Sequence, residues 1–176
     1  MNPSPNLFLV GPTGAGKTTI GQRLAAHYGL TFVDLDVEIE ARCGTTIAAI
    51  FESEGEAGFR ARECAHLDEF SLRNGIVLAT GAGAVLDPAN REALMSRGTV
   101  LMLGVDVDEQ LDRLQHDRVR PMIAGSDRRG RLENLAHDRN HLYEEIADLI
   151  FRGRHEGVDD AAPRAIALLD RHWKRS

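Results

Sequence analysis

The densest chemistry in the chain lies in Gly11-Pro12-Thr13-Gly14-Ala15-Gly16-Lys17-Thr18. Glycines at this spacing let successive backbone N–H groups turn into one concavity, a shape that suits a polyphosphate. Lys17 adds a point charge able to reach the outer phosphates, and the Thr18 hydroxyl stands where it can ligate the Mg²⁺ that bridges them. The stretch satisfies the complete Walker A pattern. A second resource is the pair Asp34 and Asp36. One carboxylate could face Mg²⁺ and the other an acceptor hydroxyl, or Asp34 could simply cap a helix over 37–40. Arginines are the third resource: Arg118, Arg120, Arg128, Arg129 and Arg131 fall in a glycine-punctuated stretch over 115–131. That composition suits a mobile lid that brings a cation onto transferring phosphates, with solvated charge as the plainer alternative for most of these side chains. Arg120, held before Pro121, is the one expected to reach the nucleotide. Arg60 and Glu63 share a helix face and can pair, which contributes little on an exposed surface.

These residues need elements to position them. Apolar runs predict strands at 7–10, 30–33, 75–79, 99–103 and 148–151. Helical patterns are expected from near Lys17 to about 27–29 and over 37–40, 45–51, 55–72, 107–114 and 132–147, with a closing helix from near Pro163 toward Trp173. Strands alternating with helices predict an α/β fold, a doubly wound and mainly parallel sheet with helices on both faces. In such sheets ligands bind at the carboxyl ends of the strands. The first strand delivers the glycine loop to that edge, and the second runs into Asp34 and Asp36. The third enters Thr80-Gly81-Ala82-Gly83, either a backbone approach to a ligand or a tight turn before the next helix.

Bulk properties narrow the field. The chain has 176 residues, 43% hydrophobic and 27% charged, with a formal charge of -6. One domain over 1–176 with a sizeable core is expected. The acidic balance predicts no nucleic-acid partner, and no apolar run approaches a membrane span. Cys43 and Cys64 form no CxxC pair, which argues against a disulfide scaffold or zinc ribbon and points to a reduced cytoplasm. No secretion signal is read at the N-terminus. His137 and His141, one helical turn apart, lack an HExxH pattern and read as surface residues.

Taken together, the motifs resemble the shikimate kinase family, small members of the nucleoside-monophosphate-kinase-like P-loop fold. The pieces that carry the resemblance are the Walker A loop, Phe32-Val33-Asp34-Leu35-Asp36, Gly58-Phe59-Arg60-Ala61-Arg62-Glu63, Ala79-Thr80-Gly81-Ala82-Gly83-Ala84-Val85, Val119-Arg120-Pro121 and Arg139-Asn140-His141-Leu142-Tyr143. They follow one another along nearly the whole chain, to about Phe151. The resemblance implies a three-layer fold with a five-stranded parallel sheet in the order 2-3-1-4-5, a helical substrate-binding region at about 34–62 and a lid at about 115–130. It implies transfer of a phosphoryl group from ATP to the 3-hydroxyl of shikimate, in chorismate and aromatic amino-acid biosynthesis, by a cytoplasmic monomer using Mg²⁺. By the same resemblance Gly14, Ala15, Gly16, Lys17, Thr18 and Thr19 hold the nucleotide, with Arg113 beside adenine and Arg120 on the lid. Lys17, Asp36 and Arg120 are the implied catalytic residues, and Thr18 and Asp34, through water, the metal-side residues. Asp36, Arg60, Gly81, Ala82, Gly83 and Arg139 face the acceptor, the two arginines clamping its carboxylate. Three features depart from the family pattern. Ala82 replaces the middle of three glycines, where a methyl is strained if that residue takes positive φ and crowds a ligand at its N–H. His141 stands where many relatives have proline, and 152–156 matches poorly, so no adenine contact is expected there. A gluconate-type kinase and a ligand sensor without turnover are the competing readings.

Overall fold

Alternation of side chains across each strand divides the core into two layers of packing around one sheet. The computed structural model describes residues 4–115 and 127–175. Strands β1 (Leu7–Val10), β2 (Thr31–Asp34), β3 (Ile76–Ala79), β4 (Thr99–Gly104) and β5 (Leu149–Arg152) pair in parallel in the order β2-β3-β1-β4-β5. β1, β3 and β4 are buried along their whole length, which is why they read as unbroken apolar runs.

Helices α1 (Lys17–Tyr28), α2 (Leu35–Cys43), α3 (Ile47–Ser71), α4 (Pro88–Arg97), α5 (Val107–Arg113), α6 (Arg128–Ile146) and α7 (Val158–His172) link and cover the strands. On one face Phe8, Val10, Leu78 and Val100 pack with Ile39, Phe59, Leu67, Leu94 and Tyr143 from α2, α3, α4 and α6. On the other, Leu7, Leu9, Leu101 and Phe151 pack with Leu24 of α1 and Ala165 and Leu169 of α7. The expected three-layer α/β arrangement and strand order are both present. No described helix is long and apolar enough to cross a membrane.

Four helix boundaries differ from the sequence expectation. The two helices expected over 45–51 and 55–72 form one element, α3, broken at Gly55, whose φ of 71° and ψ of -178° lie outside helical space. Asp34, its carboxylate accepting from the N–H groups of Asp36 and Val37, starts α2 at Leu35, two residues before the expected helix. α6 begins at Arg128, four residues earlier than expected, because Asp127 caps it by accepting from the Gly130 N–H. Residues 128–130, expected to belong to a lid, are therefore its first turn. α7 starts at Val158 and runs through Pro163. Ala161, Ala162 and Ala165 are buried against the sheet, and this packing carries the helix across a residue that cannot donate to it. Of the expected lid, residues 116–126 lie outside the described residues, Arg118 and Arg120 among them.

Candidate active site

The carboxyl ends of β1, β2 and β3 open on one cleft of about 700 Å³. At one end the Walker A loop turns through Gly14 and Gly16, with φ of 78° and 89°, a conformation that L side chains rarely adopt. Gly16 is the N-cap of α1 and makes no side-chain cap, so the helix turns its first N–H groups and its positive dipole end toward the loop. The Lys17 ammonium folds back to donate to the Gly11 and Pro12 carbonyls at 2.7 and 2.9 Å. Thr19 lines the cleft and donates to the Gly16 carbonyl at 3.2 Å. Ala15 turns its methyl into the core beside α1 and α7, and its N–H donates to the Pro12 carbonyl at 3.2 Å.

Thr18 and Asp34 meet across the loop. The Thr18 hydroxyl donates to Asp34 Oδ2 at 2.6 Å, while Asp34 Oδ1 accepts from the backbone of α2 at 3.1 and 3.3 Å. The two sequence readings of Asp34 therefore hold together: one oxygen caps, and the other faces the phosphate loop. Two hard oxygens at this separation fit a Mg²⁺ ion that keeps most of its shell as water and phosphate.

At the other end four charged side chains surround the turn after β3. Arg60 donates to Glu63 at 2.5 Å, and Arg139 is only 6% exposed. Glu63 is 1% exposed and its Oε1 has no hydrogen-bond partner among the described residues. Burial pushes its carboxyl above the usual range, against the pull of Arg60 and Arg139 and with the help of Asp36. A Cβ on Gly81 would fall 3.0 Å from Asp36 Oδ1 and 2.5 Å from Glu63 Oε1, so both carboxylates converge on this backbone. A Cβ on Gly83 would collide with the Arg60 guanidinium. The middle residue is different. Ala82 does not take positive φ, so its methyl carries no backbone strain, which corrects one premise drawn from the sequence. Its carbonyl accepts from the Tyr143 hydroxyl at 2.6 Å, tying the turn to α6 one helical step from Arg139. Burial pushes the Tyr143 phenol up to about 12, which keeps it a donor.

A family model described as shikimate kinase matches residues 13–170. The chain belongs to the shikimate kinase family. A shikimate kinase from Halorhodospira halophila is 52% identical over 144 residues, 82% of this chain and 81% of the relative. One from Xylella fastidiosa is 43% identical over 176 residues, 100% of this chain and 98% of the relative. Among solved structures, a shikimate kinase from Acinetobacter baumannii in complex with shikimate superposes with a TM-score of 0.92 at 42% identity, covering 96% of this chain and 94% of that one.

Within this shikimate kinase fold the cleft brings together Gly14, Gly16, Lys17, Thr18, Thr19, Asp34, Asp36, Arg60, Gly81, Ala82, Gly83, Arg113 and Arg139. Ala15 is not among the residues lining it, and Arg120 lies outside the described residues. Arg113 donates to the Gly14 carbonyl at 2.9 Å and is held from behind by Glu109. Sequence reasoning missed two groups. Glu63 read as half of a surface pair, and only its burial between Arg60 and Asp36 makes it part of the site. Glu156, Gly157, Val158 and Ala161 line the cleft as Arg113 does, whereas the sequence led to no expected adenine contact at 152–156 and to no site residue just beyond it. The signal available for them was Gly157 ahead of Asp159 and Asp160, a helix start that Pro163 obscured.

Proposed function

We propose that the chain catalyses phosphoryl transfer from ATP to the 3-hydroxyl of shikimate, giving shikimate 3-phosphate and ADP on the route to chorismate and the aromatic amino acids. One observation carries this reading beyond nucleotide binding. Arg60 and Arg139, both on the cleft, stand with Asp36 around the Gly81–Gly83 backbone, in the same cleft as the Walker A loop. Two guanidinium groups suit planar, charge-assisted capture of one carboxylate, and Asp36 suits a hydroxyl beside it.

In this reading Gly14 and Gly16 offer backbone N–H groups to the phosphates, Ala15 joins them when its N–H leaves the Pro12 carbonyl, and Thr18 with Asp34 would hold Mg²⁺, Asp34 through water. Bound there, the ion neutralises charge on the β and γ phosphates. Lys17 leaves the Gly11 and Pro12 carbonyls for the phosphates, Thr19 and Arg113 hold the nucleotide, and Arg120 reaches the transferring group. Asp36 orients the acceptor hydroxyl and takes its proton as the new O–P bond forms and the bond to the ADP oxygen breaks. Little covalent help from the protein is required, because positioning and charge neutralisation supply most of the rate. One P-loop kinase domain, acting as a cytoplasmic monomer, is the working unit of this proposal.

The test is ADP release from MgATP offered with shikimate, gluconate or a nucleoside monophosphate. Turnover with shikimate well above the other acceptors is expected. Equal or greater turnover with gluconate, or ADP release that ignores the acceptor, would overturn the reading.

A further inference from the structure

Nothing in phosphoryl transfer uses the outer edge of the sheet, yet that edge has its own chemistry. β5 pairs with β4 on one side, and no described strand lies beyond it. In a parallel ladder alternate residues turn both backbone groups to the same neighbour. Asp148 donates its N–H to the Val100 carbonyl, so by alternation Leu149 and Phe151 present theirs to the open side. Ile150 is 42% exposed on this edge strand, without the proline or lysine that often blunts one.

Beside the edge runs a groove of about 630 Å³, bounded by β5, the turn after it and α7. Along α7, Arg164, Leu168 and Arg171 are spaced four and three residues apart, so they form one stripe facing the groove. Arg164 is already committed: it pairs with Glu156 and lies over the Phe151 ring. Arg152 is paired with Glu144. Arg154 and Arg171 are different, for they make no ion pair or hydrogen bond among the described residues. Both are exposed, and both line the groove. On a chain with a formal charge of -6, an apolar groove flanked by two uncompensated arginines selects for an acidic occupant.

We propose that this edge is a docking site for an extended acidic segment of a partner protein. The segment adds a strand to β5, its backbone pairing with Leu149 and Phe151. Acidic side chains reach Arg154 and Arg171, and an apolar one two residues from each, on the same face of the added strand, rests on Leu168. A second copy of this chain, which carries the same formal charge of -6, is the competing occupant, and it would be seen as dimerisation through β5.

A fluorescein-labelled heptapeptide with glutamate at its second and sixth positions, valine at its fourth and threonine elsewhere is the probe, followed by fluorescence anisotropy and by amide hydrogen exchange of the intact chain. Saturable binding is expected, with slowed exchange at Leu149 and Phe151. Arg154→Glu combined with Arg171→Glu should weaken it by about tenfold or more while kinase turnover is unchanged, which also reports that the variant folds. Of the two alternate sets of peptide amides, N-methylation of the one that faces β5 should abolish binding and of the other should leave it, a difference that simple ion pairing would not produce. Absent binding, binding displaced by MgATP, binding indifferent to both arginine substitutions or to N-methylation, or dimerisation through β5 in the absence of peptide would each overturn the proposal.

Discussion

Glu63 is the residue on which the acceptor end of the cleft turns. Its carboxylate holds Arg60 at 2.5 Å, is 1% exposed, and leaves Oε1 unpaired among the described residues, toward Gly81. The folded-state pKa is raised, so the folded chain binds a proton that the unfolded chain has released in the window above the ordinary glutamate value. Stability from this group is present below that value and is lost as pH rises through the raised one. Glu63→Gln removes the titration. The melting temperature of the variant relative to the parent should therefore climb as pH rises through this window, and thermal melts across pH 4.5–8 measure it. A flat difference would remove Glu63 from the proton linkage. The turn beside it gives a second residue-scale prediction. With Ala82 free of positive φ, Ala82→Gly should leave turnover unchanged and lower stability by about 0.4–1 kcal/mol through the freer unfolded chain. Gly83→Ala should instead displace the Arg60 guanidinium and lower kcat/KM for shikimate, on the order of a hundredfold for a shift near 1 Å. Steady-state kinetics and melts of the two variants separate these effects, and loss of turnover in Ala82→Gly would return the methyl to the mechanism.

Among elements, the junction of β2 and α2 joins folding to chemistry, since Asp34 caps α2 with one oxygen and faces Thr18 with the other. Asp34→Asn keeps a capping oxygen, whereas Asp34→Ala removes it and should cost about 1 kcal/mol of stability. Both variants should need more Mg²⁺ for half-maximal turnover. Melts and a Mg²⁺ titration make the comparison, and an unchanged Mg²⁺ requirement in both would take Asp34 off the metal side. In the proposed mechanism Arg120 serves the transferring phosphate and Arg139 the acceptor carboxylate, so the two should respond differently to substitution. Arg120→Ala should depress kcat more than it weakens shikimate binding, and Arg139→Ala should raise the shikimate KM most. An Arg120→Ala enzyme with intact kcat would end that assignment.

Most of the elements were legible because their signals are local. Four-residue apolar runs and a loop with fixed glycine spacing declare β1 and the start of α1 without reference to the rest of the chain. Glu63 was not legible, because an i, i+3 pair with Arg60 looks the same on a solvated helix as in a buried one. What distinguishes them is Asp36 arriving from α2 and Gly81 arriving from β3. The start of α7 was hidden for a related reason: Pro163 is a local stop signal, overridden by burial of Ala161, Ala162 and Ala165.

For the molecule as a whole, the strand order gathers the loop after β1, Asp34 at the end of β2 and the turn after β3 onto one edge of the sheet. The groups proposed to hold the phosphoryl donor, bind the acceptor and take its proton share one cleft because three neighbouring parallel strands end there. A cleft built in this way should couple nucleotide use to the acceptor, leaving ATP largely intact when the acceptor end is empty. Phosphorus NMR of the intact chain with MgATP, recorded without and then with shikimate, tests that most directly. The account predicts little change before shikimate is added, and afterwards equal growth of ADP and one phosphate monoester resonance coupled to the proton at carbon 3. Growth of inorganic phosphate at the same rate with and without shikimate, or an ester at another hydroxyl, would contradict it.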